Sequence, residues 1–233
     1  MKLIVGCPTR NRTWILEQWR DHVENAVPGD WDLQYLFVVG EDDRDTIELL
    51  SSWQRTHMVF IEEPDPGMIR SWAKAGRYDH MVFLRNTLLE KVRHLSPDLF
   101  LSLDSDILLG QDTIREMYET LVKYDFDAVG GLTWLDPVDP GCTNVASWVS
   151  NKMNSFKRVK SSGHHSVDII MAIKLMTPAA YGVDYRFHTL GEDLGWNKNM
   201  FLAQKRIGMD GRTPSKHIMK PEYLEIKDKR VGW

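Results

Sequence analysis

The sequence predicts an α/β fold, a single domain whose central sheet is mostly parallel and flanked by helices. Apolar runs of strand length alternate with longer segments of helical period, the pattern of strands joined by crossover helices. The 233 residues suffice for one large core and are few for two domains. Hydrophobic residues make up 42% and charged residues 27%, an ordinary globular balance far from that of a disordered chain.

In chain order, strands are expected at Leu3 to Cys7, Leu33 to Val39, Met58 to Ile61, Leu99 to Leu103, Ala128 to Gly131 and Val167 to Ile173. Between them, Trp14 to Val27, Thr46 to Gln54, Met81 to Leu95 and Thr113 to Lys123 have helical period, with Thr13 as an N-cap. A further helix starts near Glu192 and ends before Gly208. The stretch Thr133 to Ser166 lacks sustained period and carries Pro137, Pro140, Gly141, Trp134 and Trp148. It is expected to be a long loop or lid, about 133–166, on the acceptor side of a site. A C-terminal tail is expected after about 210.

Lys and Arg total 29 against 33 Asp and Glu, so no global positive field draws the chain to nucleic acid or anionic lipid. Local basic stretches occur at Lys152, Lys157, Arg158 and Lys160, and at Lys216, Lys220, Lys227, Lys229 and Arg230, patterns most often found on solvated faces. Cys7 and Cys142 are far apart and lack a partner motif, which argues against a disulfide scaffold or zinc ribbon and for a reducing compartment. The apolar start is too short for a signal peptide, and no stretch approaches the roughly 20 residues that cross a bilayer. A cytoplasmic protein without an integral membrane segment is the expectation.

The most informative residues are Leu99-Phe100-Leu101-Ser102-Leu103-Asp104-Ser105-Asp106, an apolar strand running into two acids one residue apart. In extended chain alternate side chains share a face, so Asp104 and Asp106 are expected to converge where the strand leaves the sheet. Two close carboxylates repel unless a cation lies between them, and hard divalent ions prefer oxygen ligands. Acids in that position also serve as plain turn residues.

From these residues onward the chain resembles the GT-A-fold (Rossmann-like) glycosyltransferases, in particular their large inverting group, whose Asp-x-Asp motif holds a divalent metal against the donor diphosphate. Four further features fall in that order: Cys7-Pro8-Thr9-Arg10-Asn11-Arg12 is similar to the group's Pro-x-x-Asn-Arg opening, Gly40-Glu41-Asp42-Asp43 to its base-contacting acid, Arg85-Asn86 to its Arg-Asn pair, and Gly191-Glu192-Asp193-Leu194 to its acidic helix start. His217, in Ser215-Lys216-His217, stands where these folds place a histidine that completes the metal shell. The resemblance spans Leu3 to about His217. The group's Gly-rich sugar segment has no clear counterpart; Gly130-Gly131 or Gly182 are the available positions.

The resemblance implies a metal-dependent transferase using a nucleotide diphosphate sugar, UDP-sugar favoured. Asp104, Asp106 and His217 would gather around Mn²⁺ or Mg²⁺, the nitrogen ligand tilting the choice toward Mn²⁺. Pro8, Thr9, Arg10, Arg12, Asp42, Arg85, Asn86, Asp104, Ser105, Lys216 and Lys220 would contact the donor. Asp193, with Glu192 as second choice, would be the general base of an inverting reaction. The same acids would also stabilise a helix N-terminus with no catalytic duty. Trp134 and Trp148 are acceptor-stacking candidates, Trp196 is assigned to the core, and His164-His165 carry no role. The acceptor is left open among glycan, lipid, protein, small molecule and a hydroxylated base in phage-type DNA. A nucleotidyltransferase or a non-catalytic nucleotide-sugar-binding module are the alternatives; the lack of Gly in Cys7 to Arg12 counts against the first.

Overall fold

The computed structural model describes residues 1–64, 76–135, 142–150, 153–159 and 163–226. The sheet grows from β1 (Lys2–Thr9), which pairs in parallel with β2 (Asp32–Val39) on one side and β4 (Leu99–Leu103) on the other, while β3 (Met58–Glu62) extends it beyond β2. On the far side of β4 the direction reverses. β11 (Ile173–Met176) runs antiparallel between β4 and β6 (Ala128–Thr133), and β12 (Ile207–His217) continues the sheet in parallel with β6. The short β5 (Ile107–Leu108) and β9 (His164–Ser166) join at β12, both antiparallel.

Strand alternation sorts side chains between two apolar layers. Leu3, Val5, Cys7, Tyr35, Phe37, Leu99, Leu101 and Leu103 belong to a core with α1 (Thr13–Ala26), α2 (Arg44–Trp53) and α4 (Thr113–Tyr124). Ile4, Leu36, Val38, Phe100 and Met176 belong to a second core with α3 (Arg77–Leu95), α5 (Pro178–Tyr181) and α6 (Glu192–Leu202). Both faces are thus covered, which is why β1, β2 and β4 read as unbroken apolar runs.

The predicted strands from Leu3 to Leu103 and the first four helices appear within a few residues of their expected bounds, and α6 ends at Leu202, before Gly208. Four expectations change. Thr13 opens α1 and Arg12 takes the cap position, with no side-chain cap bond. Asp43 caps α2 instead, accepting from Thr46 N at 3.4 Å. Val167 to Ile173 is split into β10 (Ile169–Ile170) and β11, because Ala172 takes a left-handed φ of 59° and turns the chain from one sheet into the other. The expected lid at 133–166 contains β7 (Val145–Trp148) and β8 (Phe156–Arg158), which form a small antiparallel sheet with β10, as well as β9. Strands of three or four residues are too short to show a period in sequence.

The first part of the expected tail after about 210, as far as His217, is the second half of β12. Its polar run Asp210-Gly211-Arg212-Thr213 hides a sheet strand because the charge is neutralised internally: buried Asp210 pairs with Arg212 at 2.8 Å and accepts from Thr120. Pro137, Pro140, Gly141, Lys152, Lys160, Lys227, Lys229 and Arg230 lie outside the described residues.

Candidate active site

A cleft of about 360 Å³ opens at the carboxyl ends of β1 and β4, lined by Pro8, Thr9, Arg10, Arg12, Arg85, Asp104, Ser105, Asp106 and Glu192 together with Arg77, Tyr78, His80, Met81 and Leu84. It is the location expected for ligands of open α/β sheets. Eight of the donor-contact candidates and Asp106 of the metal trio meet here or at its rim. The eighth is Asp42, which sits outside the lining and pairs with Arg10 at 2.5 Å, both side chains well exposed.

The two acids after β4 line the cleft with different partners. Phe100, Ser102 and Asp104 follow the strand alternation toward α3, where Arg85 donates to Ser102 Oγ at 3.2 Å and to Asp104 Oδ1 at 2.7 Å. A turn then closes with Ile107 N donating to Asp104 O at 3.1 Å, and Asp106 lies within it. There Asp106 Oδ2 accepts from Arg12 at 3.1 Å and its Oδ1 lies 3.4 Å from His217 Nε2. Both acids line the cleft at the end of β4, and each has its own cation there.

His217 arrives through backbone pairing. It lies opposite Ile107 across the β5–β12 ladder, and Ile218 N donates to Asp106 O at 2.7 Å. Its Nδ1 is buried with no hydrogen-bond partner among the described residues. Burial alone would raise the Asp106 carboxyl, but the hydrogen bond and charge of His217 and the Arg12 guanidinium outweigh it and hold Asp106 below the usual range. No group of three metal-binding side chains occurs among the described residues. The donor set at this point is a pair, one oxygen and one nitrogen ligand, and it fits an ion that keeps waters and takes its other ligands from phosphate.

Arg85 is 3% exposed and remains a cation despite burial because Asp104 and Asp193 face it. Its neighbour Asn86 points elsewhere, bridging the backbone of Tyr185 through both amide atoms at 3.0 and 2.8 Å, so it braces the chain ahead of α6 rather than lining the cleft. At the start of α6, Glu192 faces the cleft 3.9 Å from Arg85, whereas Asp193 Oδ1 accepts from Lys174 Nζ at 2.6 Å and does not line it. Burial and then the Asp193 charge raise the Glu192 carboxyl. Asp193 is lowered: burial opposes ionisation, but Lys174 and Arg85 overcome it.

Other candidates fall away from the cleft. Lys216 is buried on β12 with its Nζ donating to Leu224 O at 3.3 Å, and Lys220 is exposed beside the 3₁₀ turn Pro221–Leu224. Trp134 packs on the second core, and Trp148 lines a separate groove with Val149, Met153 and Phe201. Trp196 is fully buried, its Nε1 donating to Val183 O at 3.1 Å. Gly130 and Gly131 lie beneath Ile170 and Ile173 inside the sheet, and Gly182 ends α5. A second groove of about 440 Å³ opens beside Tyr124, His164 and His165, but its cations Lys205 and Arg206 already face Asp127 and Asp125. Lys174, Arg77, Tyr78 and His80 escaped sequence reading; only Lys174, a lone cation inside the apolar run of β11, carried a visible cue.

No protein-family model matches the sequence, and no curated protein matches it either. Solved structures do. The S. aureus TarS 1–349 structure in complex with UDP-GlcNAc superposes with a TM-score of 0.62 at 11% identity, covering 97% of this chain and 62% of that one. A mannosyltransferase, PcManGT from Pyrobaculum calidifontis in complex with GDP-Man and Mn²⁺, gives 0.62 at 15% identity, covering 94% and 57%. A197 from STIV gives 0.51 at 11% identity, covering 95% and 87%. The chain thus spans about three-fifths of the length of the TarS and PcManGT chains. The fold is that of the GT-A nucleotide-sugar glycosyltransferases.

Proposed function

We propose that this GT-A-fold chain transfers a sugar from a nucleotide diphosphate sugar to an acceptor hydroxyl, with UDP as the nucleotide to test first and GDP second. The observation that carries the reading is the meeting of Asp106 with His217 at the mouth of a cleft bordered by Arg10, Arg12 and Arg85. A bidentate guanidinium suits a diphosphate, and Arg12 already reaches the Asp106 carboxylate that would share it. The two solved structures with UDP-GlcNAc and with GDP-Man and Mn²⁺ support the donor class.

Asp106 and His217 are the residues that would hold the divalent ion, with Asp104 in the same cleft held by Arg85, and when bound such an ion would stabilise as a Lewis acid the charge growing on the departing nucleoside diphosphate. The rest falls to the protein's own groups. Arg12 and Arg85 orient the diphosphate and neutralise it, and Asp42 at the rim is placed beside Arg10 for the nucleoside end. With inversion, the acceptor hydroxyl attacks the anomeric carbon from the face opposite the leaving group, and a carboxylate at the start of α6 receives its proton. No helix among the described residues is long and apolar enough to cross a membrane.

Calorimetric titration of UDP and of GDP with Mn²⁺, repeated after EDTA, tests the reading. Binding that disappears on chelation supports it. Product analysis then separates transfer from nucleotidyl chemistry, since release of pyrophosphate would move the nucleotidyltransferase ahead. Absence of binding for both nucleotides with either metal would remove the transferase reading.

A further inference from the structure

We infer that two grooves joined at Asp168 form a track for an uncharged glycan chain, with Trp148 as its stacking platform, and that this chain is the acceptor. The acceptor role rests on the transferase reading, whereas the track stands on the grooves alone.

The small sheet of β7, β8 and β10 places Trp148 at the end of β7, opposite Phe156 of β8. Trp148 N donates to Asp168 Oδ2 at 2.9 Å, which fixes a carboxylate beside the residue that carries the indole. Both line a groove of about 210 Å³ with Ser150 and Phe201, and the Phe201 ring is 51% exposed. Trp148 Nε1 has no hydrogen-bond partner among the described residues, a donor left for a ligand oxygen. An aromatic face suits the C–H side of a sugar ring, and a carboxylate near it accepts from neighbouring hydroxyls.

The surface continues in two directions. Asp168 also lines the groove of about 440 Å³ bordered by Tyr124, Phe126, His164 and Ser166. Aromatic rings thus alternate with hydroxyl, imidazole and carboxylate groups on both sides of Asp168. In the other direction the Trp148 ring lies 6.0 Å from that of His188, whose carbonyl accepts from Gly191 N at 3.0 Å. Gly191 leads directly into Glu192, which lines the cleft. From Glu192 to Phe201, α6 rises about 14 Å. One sugar ring cannot touch both ends of that span, and a chain of several can.

Charge selects among chains. Besides the histidines, the charged groups lining the two grooves among the described residues are Asp168, Lys205 and Arg206. Lys205 faces Asp127 at 3.9 Å and Arg206 faces Asp125 at 3.1 Å, so both cations are already matched by carboxylates. A phosphate backbone is held by cations that it can neutralise, and a chain of neutral rings needs none. The formal net charge of -4 points the same way.

Affinity electrophoresis tests the inference. The full chain is run in native gels cast with dextran, mannan, galactomannan or glycol chitin, and in a second set cast with polyphosphate or poly(dT). Retardation by at least one neutral polymer is expected, with affinity about tenfold weaker in Trp148→Ala. Phe201→Ala removes an exposed ring and little core, and it should weaken retardation even where Trp148→Ala fails to fold. A hexasaccharide cut from the retarding polymer should compete better than its monosaccharide at equal ring concentration. Retardation by the anionic set alone would overturn the inference, as would no retardation by any neutral polymer. Equal competition by the monosaccharide, or full retardation in every variant that folds, would overturn it too. Calorimetry with UDP and GDP on the same preparation keeps the two readings apart. Glycan retention without nucleotide binding removes the transferase and leaves a binding track; nucleotide binding without glycan retention removes the track only.

Discussion

Asp106 Oδ1 and His217 Nε2 lie 3.4 Å apart because the ladder that pairs Ile107 with His217 sets the two side chains on the same side of the cleft mouth. Neither residue has the other near it in sequence, and the register of two short strand ends decides the contact. If that pair holds the ion, Asp106→Asn should weaken Mn²⁺-dependent binding of UDP or GDP at least tenfold, about 1.4 kcal/mol, while circular dichroism stays unchanged. Calorimetry checks it, and equal affinity for the variant would rule out Asp106 as a ligand.

Removing the nitrogen donor should change metal preference more than it changes the fold. His217→Ala is expected to cost about tenfold or more in nucleotide affinity with Mn²⁺ and distinctly less with Mg²⁺, since imidazole contributes more to the softer ion. Parallel titrations in the two metals give the ratio. An unchanged ratio would place His217 outside the metal shell.

Far from the cleft, Asp210→Asn should destabilise the chain by about 2 kcal/mol at neutral pH, a figure reduced from the buried-pair range because Arg212 is 36% exposed. Burial would raise the Asp210 carboxyl, but Arg212 and Thr120 hold it below its ordinary value. A depressed folded value means that the stabilisation is fully present above the unfolded value, about 3.9, and is lost as pH falls through the folded one. Urea unfolding at pH 7 and at pH 3 should show the gap between wild type and variant shrinking at the lower pH.

Gly195 lies inside α6, where Ala would ordinarily add about 1 kcal/mol of helix propensity. A Cβ there would sit 1.8 Å from Arg186 O, against backbone that leads into the acidic pair. Gly195→Ala should therefore cost about 3 kcal/mol net, since the clash is with rigid main chain. A thermal melt that rises for the variant would show that the segment around Arg186 yields.

Much of the fold was legible because its central strands are buried on both faces. Leu3 to Cys7, Leu33 to Val39 and Leu99 to Leu103 are nearly unbroken apolar runs, and the helices between them show their period clearly. Legibility ended at strands whose partners lie on one side or whose charge is cancelled by another element. Asp210 is hidden in β12 by Arg212 and Thr120, and β8 offers only three residues of alternation.

The same boundary runs through the site. Local sequence alone determined that an acid pair ends β4, that cationic residues follow β1 and that two acids open α6, since each is a motif of adjacent residues on one element. Which acid meets which cation was decided only by the tertiary structure. Asp104 meets Arg85 while Asp106 meets Arg12, a strand register brings in His217, and the layer beneath the sheet puts Lys174 against Asp193. Charge matching inside a folded cluster depends on distances between elements, and strand alternation cannot encode them.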